Sequence, residues 1–302
     1  PRGVRLTPPP SSHSSGAIAN ADATRCAPEH ARFVLAATIV ASSMVFIDGT
    51  LVNVALPALQ RELAASLAGV QWVVEAYALL LAALLLVGGA AGDRFGRRRV
   101  FSIGVAIFAV ASIGCAVAAN VAQLIAARAV QGVGGALLVP GSLAIISAAF
   151  DENARGKAIG TWSAATALTT ALGPVIGGWL IDHGSWRAAF LLNVPLAIVV
   201  LVLAPRYVPE SRNPDETGPL DWIGALLVTA GLGAVVYALI EAPTRGFGAA
   251  RVVVGLVAGA AALATFVAIE RRQRQPMVPL QLFRSRAFTG ANVLTMSARS
   301  RD

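Results

Sequence analysis

The chain has 302 residues, 56% of them hydrophobic and 13% charged, with a mean hydropathy of +0.68. A soluble domain carries about 25% charged residues, so half the expected charge is missing, and a soluble enzyme is set aside. The net charge of +8 gathers at the ends of apolar blocks with no interleaved aromatics, which argues against a nucleic-acid partner.

Residues 1–32 are rich in Pro, Ser and Ala, without the apolar core of a signal peptide; they read as a disordered tail. Eight apolar blocks follow, near 33–57, 71–91, 100–119, 121–148, 158–180, 188–204, 221–241 and 251–269. About 20 apolar residues cross some 30 Å of hydrocarbon, and the blocks lack the alternation of barrel strands. The expected fold is an all-α integral membrane bundle of eight complete transmembrane helices. A further apolar stretch, 287–298, is too short to cross and reads as the start of a ninth; with the Pro1 start, this makes the chain read as a fragment.

Arg and Lys orient the helices, because cytoplasmic connections are enriched in them. The tail and the connections after spans two, four, six and eight hold 17, and the opposite side holds 4. The N-terminus is therefore expected in the cytoplasm, with the chain multi-pass in the plasma or inner membrane. Trp72, Trp162, Trp179, Trp186 and Trp222 all lie near span ends, where an aromatic belt is expected.

Three charges fall inside spans: Asp48, Glu75 and Arg128. Each costs about 2.5–3.5 kcal/mol at a helix centre on insertion scales, so such groups face a cavity or one another. At about 1.5 Å per residue, Asp48 is roughly 14 Å from the outer end of span one, Arg128 about 10 Å into span four and Glu75 roughly 6 Å into span two. One reading is an ion pair of Arg128 with Asp48 that fixes packing. The other is a proton site, a carboxylate whose proton affinity is set by desolvation and a cationic partner. Glu75 is shallow enough to reach interfacial water.

Span five carries small residues at spacing four, Gly173 with Gly177 and Pro174 with Gly178, which let helices approach closely. Residues 88–98, GGAAGDRFGRR, and 177–187, GGWLIDHGSWR, share GG-x3-D on opposite sides of the membrane. An inverted three-plus-three repeat predicts this, with span two matching span five.

Four stretches resemble the major facilitator superfamily, specifically its fourteen-span drug:proton antiporters. FIDGTLVNVALP (46–57) resembles the span-one motif containing Asp48. GGAAGDRFGRRR (88–99) matches the loop signature at Gly89, Asp93, Arg94, Gly96, Arg97 and Arg98. ARAVQGVGGALLVP (127–140) resembles the span-four motif at Arg128, Gln131 and Gly132, and ALGPVIGG (171–178) the span-five antiporter motif. WRAAFLLNVP (186–195) adds a family-typical start to span six. The connection after span six is short and the loop signature is not repeated after span eight, which favours fourteen spans over twelve.

The resemblance implies proton-coupled export of small hydrophobic or cationic compounds by alternating access. Asp48, Arg128 and Glu75 would serve proton coupling, and Asp93, Arg94, Arg97 and Arg98 a cytoplasmic latch. An acid at Glu75 departs from the neutral residue common in relatives. The implied domains are a six-helix bundle over 33–204, a cytoplasmic loop at 205–220, two extra linker helices over 221–270, and a loop with the truncated start of a second bundle at 271–302. Partners would be membrane lipid, small-molecule substrate and protons. No cofactor or metal is expected, since no ATP cradle or ligand cluster is recognisable. The alternatives are a narrow exporter of an endogenous metabolite or antibiotic, a non-functional truncated protein, a membrane enzyme and a passive scaffold.

Overall fold

The computed structural model describes residues 29–212 and 221–271. The expected tail up to residue 28, part of the loop after span six and everything from residue 272, including the start of a ninth helix, lie outside the described residues.

Among the described residues the chain is helical: α1 (Ala31–Glu62), α2 (Leu67–Phe95), α3 (Arg97–Ala116), α4 (Val121–Ala149), α5 (Glu152–His183), α6 (Trp186–Leu191), α7 (Asn193–Tyr207), α8 (Trp222–Arg245) and α9 (Ala250–Glu270). With α6 and α7 counted as one span, eight helical segments are long and apolar enough to cross a membrane, and the chain is a multi-pass membrane protein. Several helices overrun the apolar blocks by up to six residues at an end. Hydropathy marks only the stretch in hydrocarbon, whereas the backbone ladder continues until a cap stops it.

Side-chain caps mark many of the helix starts. Ser66 accepts from Gly69 N at 3.1 Å, Asn120 from Gln123 N at 2.9 Å, Asp151 from Ala154 N at 2.8 Å and Asp221 from Gly224 N at 2.8 Å. Each satisfies one of the orphan N–H groups of a first turn. Span six is interrupted at Leu192. Pro195 has no N–H to offer the carbonyl four residues back, Leu191, so the ladder is interrupted there.

Packing follows the small residues. A Cβ on Gly132 would lie 2.5 Å from Tyr77 O, and one on Gly134 would lie 2.6 Å from Phe108 N. Glycine at these two sites lets α4 press backbone to backbone on α2 and on α3. On the other side of the bundle α5 packs along α1. The pairings α2 with α4 and α5 with α1 exchange under the substitution of spans one to three for spans four to six, as the GG-x3-D echo anticipates. Helix α8 leans on α2, where Gly233 faces Leu79 at 3.4 Å from a built Cβ, and α9 packs on α8.

The tryptophans divide. Trp179 and Trp222 are exposed by 61% and 64%, as belt residues would be. Trp162 and Trp186, also expected in the belt, turn inward and are buried. Trp162 donates its indole N–H to Ser42 Oγ at 3.0 Å, and Trp186 donates to Glu62 Oε2 at 2.8 Å. A ring near a span end finds the bundle as readily as the headgroups when an acceptor for its N–H is within reach there.

Candidate functional site

The interior charges come first. Asp48 lies on α1 and Arg128 on α4, with 2% and 1% of their surfaces exposed. Arg128 Nη1 donates to Asp48 Oδ2 in a direct ion pair. Burying two charges is repaid only if their remaining hydrogen-bonding capacity is also met, and neighbouring groups largely supply it. Arg128 Nη1 also donates to Gln131 Oε1 at 2.7 Å, and its Nε donates to Val73 O at 3.1 Å. Gln131 sits three residues along from Arg128, hence on the same helix face.

The second carboxylate oxygen, Asp48 Oδ1, accepts from two amides, Gln131 Nε2 at 2.9 Å and Asn193 Nδ2 at 3.0 Å. Both amides also donate to Ser112 Oγ, at 2.9 and 3.3 Å, and Ser112 in turn donates to Phe108 O at 2.8 Å. The Tyr77 ring lies under the guanidinium, 4.0 Å from Arg128 Cζ to the centroid, with Phe190 at 5.8 Å. Such faces attract a cation, and more strongly when it is desolvated. Tyr77 Oη donates to Val45 O at 3.1 Å, and Cys115 Sγ, buried alongside, lies 3.6 Å from Gln131 Oε1. The cluster thus draws on spans one, two, three, four and six. It can hold a negative charge within the apolar bundle, and it can redistribute its hydrogen bonds if that charge is neutralised.

Asp48, Arg128 and Gln131 were recognisable from the sequence as site residues. Asn193, Ser112 and Tyr77 were not. Asn193 lies within WRAAFLLNVP at the start of span six, where a polar amide in an apolar block is the available signal. Ser112 is indistinguishable in sequence from the many serines of these helices. Glu75 shares the zone by depth but not the site. It is half-buried on α2, two residues beyond Val73 and so on the opposite face, and no hydrogen bond or ion pair joins it to the described residues. Its face is the one that carries Leu79 toward α8.

The second cluster lies where α2 meets α3. The joint is one residue, Gly96, at φ +110°, a conformation that favours glycine. Asp93 and Arg97 pair one turn apart, at 2.6 Å, and Arg97 Nη1 reaches Ala144 O at 3.4 Å. Arg94 Cζ stands 5.6 Å from the Phe95 ring centroid. Gly96 has no side chain with which to cap α3. Glu210, from the segment after span six, does so instead: its Oε1 accepts from Arg98 N at 3.1 Å. Arg98 returns a bond from Nη1 to Val208 O at 3.1 Å, and Arg97 N donates to Ser211 O at 2.9 Å. Glu210 and Ser211 were missed in the sequence, where they look like ordinary loop residues. Gly89 sits against Pro140, 3.7 Å from a built Cβ.

The span-five motif splits between two faces. Gly173 and Gly177 pack on α1, where a Cβ on Gly173 would collide with Thr50 Oγ1 and one on Gly177 would lie 3.1 Å from Leu51 Cγ. Pro174 is exposed, and a Cβ on Gly178 would meet nothing within 4 Å. Polar bonds stitch the same seam: Thr169 donates to Ser43 Oγ at 3.2 Å, and Trp162 to Ser42 Oγ, which in turn donates to Ser142 Oγ of α4 at 3.0 Å.

Comparison with known proteins adds identity to this geometry. The chain is 41% identical over 255 residues to the multidrug resistance protein Stp of Mycobacterium tuberculosis, covering 84% of this chain and 47% of that one. It is 38% identical over 260 residues to the tetracenomycin C resistance and export protein of Streptomyces glaucescens, covering 86% and 48%. The chain thus spans about half the length of the curated relatives it matches. Among solved structures, a peptide transporter POT in complex with sulfate has the same fold at a TM-score of 0.58 and 16% identity, over 84% of this chain and 56% of that one. Residues 38–221, which contain both clusters and the span-five motif, match the family description of the Major Facilitator Superfamily, and the chain belongs to that superfamily.

Proposed function

We propose that this chain is the first bundle and linker helices of a fourteen-span, proton-coupled exporter of small hydrophobic or cationic compounds, oriented with its N-terminus in the cytoplasm of the cell it serves. The observation that carries the reading is the fully buried Asp48–Arg128 pair with amide donors converging on one carboxylate oxygen. The relatives named for multidrug resistance and for tetracenomycin C resistance and export support the direction of transport.

Asp48 is the coupling acid in this reading. As a carboxylate it holds Arg128; once protonated it holds it less, which frees the contact between α1 and α4 to change. Glu75, on the α8 side of α2, is a second acid on the proton or cation route. The Asp93, Arg94, Arg97 and Arg98 cluster, with Glu210, latches the cytoplasmic end. Gly173 and Gly177 seal α5 on α1, while Pro174 and Gly178 present a small-residue face to the second bundle. The protein is a transporter and not an enzyme, driven by the proton gradient, and it needs no cofactor, metal or ATP.

A second reading shares the machinery but has one narrow substrate, and the likeness to the tetracenomycin C export protein favours it. The test for both is one experiment. The gene extended past residue 302 is expressed in inverted membrane vesicles with an imposed pH gradient, and cationic dyes and antibiotics are added. Substrate-induced proton release that vanishes in Asp48→Asn is expected; release that persists in Asp48→Asn removes Asp48 from coupling. Release with many compounds selects the multidrug reading, and release with one alone selects the narrow one.

A further inference from the structure

Two amides serve Asp48, and they are used differently. Gln131 is engaged at both ends, donating through Nε2 and accepting from Arg128 through Oε1. Asn193 is 1% exposed and donates through Nδ2 to Asp48 and Ser112, but its Oδ1 is buried without a hydrogen-bond partner. A buried acceptor left unused is costly, so a group that keeps one invites a reason.

The reason lies in what a titrating acid requires. A carboxylate only accepts, whereas the protonated form carries an O–H that must donate. Rotation of the Asn193 amide by half a turn would bring Oδ1 onto Asp48, and this terminal torsion is broad and two-fold. Ser112 can then turn its own hydroxyl hydrogen toward Oδ1, since it is both donor and acceptor. Gln131 has no such freedom while it is held by Arg128.

Position adds the second half of the argument. Asn193 is the first residue of α7, directly after the break at Leu192, where Pro195 cannot bond the carbonyl of Leu191. A change at Asp48 therefore reaches span six at the point where its ladder is already open.

We propose that Asn193 is a positioning residue for Asp48. It donates to the charged acid and accepts from the protonated one, tying the protonation of span one to the break in span six. The proposal rests on Asp48 being the coupling acid. Asn193 is neutral; the ionisable groups around Asp48 are Arg128 from α4, Tyr77 from α2 and Cys115 from α3.

The test is a pH titration by difference infrared spectroscopy, in lipid nanodiscs, of the protein carrying both bundles. The C=O band of protonated Asp48 is identified by its loss in Asp48→Asn. In Asn193→Leu, similar in shape but without polar atoms, the band should persist to a pH higher by about half to one unit, because a donor is worth more to a charged acid than to a neutral one. The band should also move to higher frequency, having lost its acceptor. In Asn193→Asp, which keeps the native shape, two carboxyls share one site and protonated carboxyl should persist to still higher pH. A titration unchanged from wild type in folded Asn193→Leu overturns the proposal; if that variant does not fold, an unchanged titration in Asn193→Asp does so. Proton release that survives Asp48→Asn in vesicles would instead sink the coupling reading, while the titration would still report the Asn193–Asp48 link.

Discussion

Gly96 and Glu210 occupy one volume between them: a Cβ on Gly96 would lie 2.7 Å from Glu210 Oε1. The missing side chain is what admits the carboxylate that caps α3 from the exit of span six. Glycine is thus required twice, for the φ of +110° and for the space. The contact joins the loop signature to the exit of span six and closes the ring of spans at that end.

Gly96→Ala should therefore cost about 2 kcal/mol or more, from the strained φ and the displaced cap together. Glu210→Gln keeps the shape and loses the charge at a helix N-terminus, and should cost about 1 kcal/mol. Thermal unfolding in detergent checks both. Equal losses in the two variants would mean that strain at Gly96 contributes nothing.

Asp48 and Arg128 invite a double-mutant test. Asp48→Asn alone leaves a buried guanidinium without its counter-charge, and Arg128→Gln alone leaves the carboxylate; either should destabilise by about 3–5 kcal/mol. The pair Asp48→Asn with Arg128→Gln buries no charge and keeps amides that can bond one another. It should recover most of the lost stability while remaining without proton release. Unfolding temperature and vesicle assays on the three variants separate the packing role of the pair from its coupling role.

The span-five glycines are graded by the space around them. Gly173→Ala meets Thr50 Oγ1 and should be the most damaging alanine of the three. Gly177→Ala, at 3.1 Å from Leu51 Cγ, should be milder, and Gly178→Ala, with nothing within 4 Å, should be near neutral for stability. Gly177→Leu should still insert but impair efflux. Unfolding temperature ranks the alanines, and whole-cell dye accumulation reads the leucine. Loss of function in Gly178→Ala without loss of stability would point to a contact made by the opposite face of α5.

Much of this molecule is legible in one dimension. Bilayer thickness dictates the length of an apolar block, so eight spans could be counted from hydropathy alone. A charge is costly in hydrocarbon, so Asp48 and Arg128 declared themselves by position before any contact was known. Small residues at spacing four announced close packing for Gly173 and Gly177, since that spacing falls on one helix face.

What the tertiary structure decided is which faces meet. Lipid-facing and bundle-facing positions are equally apolar, so hydropathy could not turn Trp162 and Trp186 inward or leave Trp179 and Trp222 outside. Depth placed Glu75 with the other two charges, but the rotation of α2 set it on the face away from them. The neutral members of the site, Asn193 and Ser112, carry no insertion penalty that would single them out; they join it only because span six is brought against span one, placing Asn193 on Asp48, and span three against span six, placing Ser112 on Asn193. Glu210 caps α3 from the exit of the neighbouring span six for the same reason. A hydrogen bond selects its partner by geometry at about 3 Å, and that geometry exists only once the helices have packed.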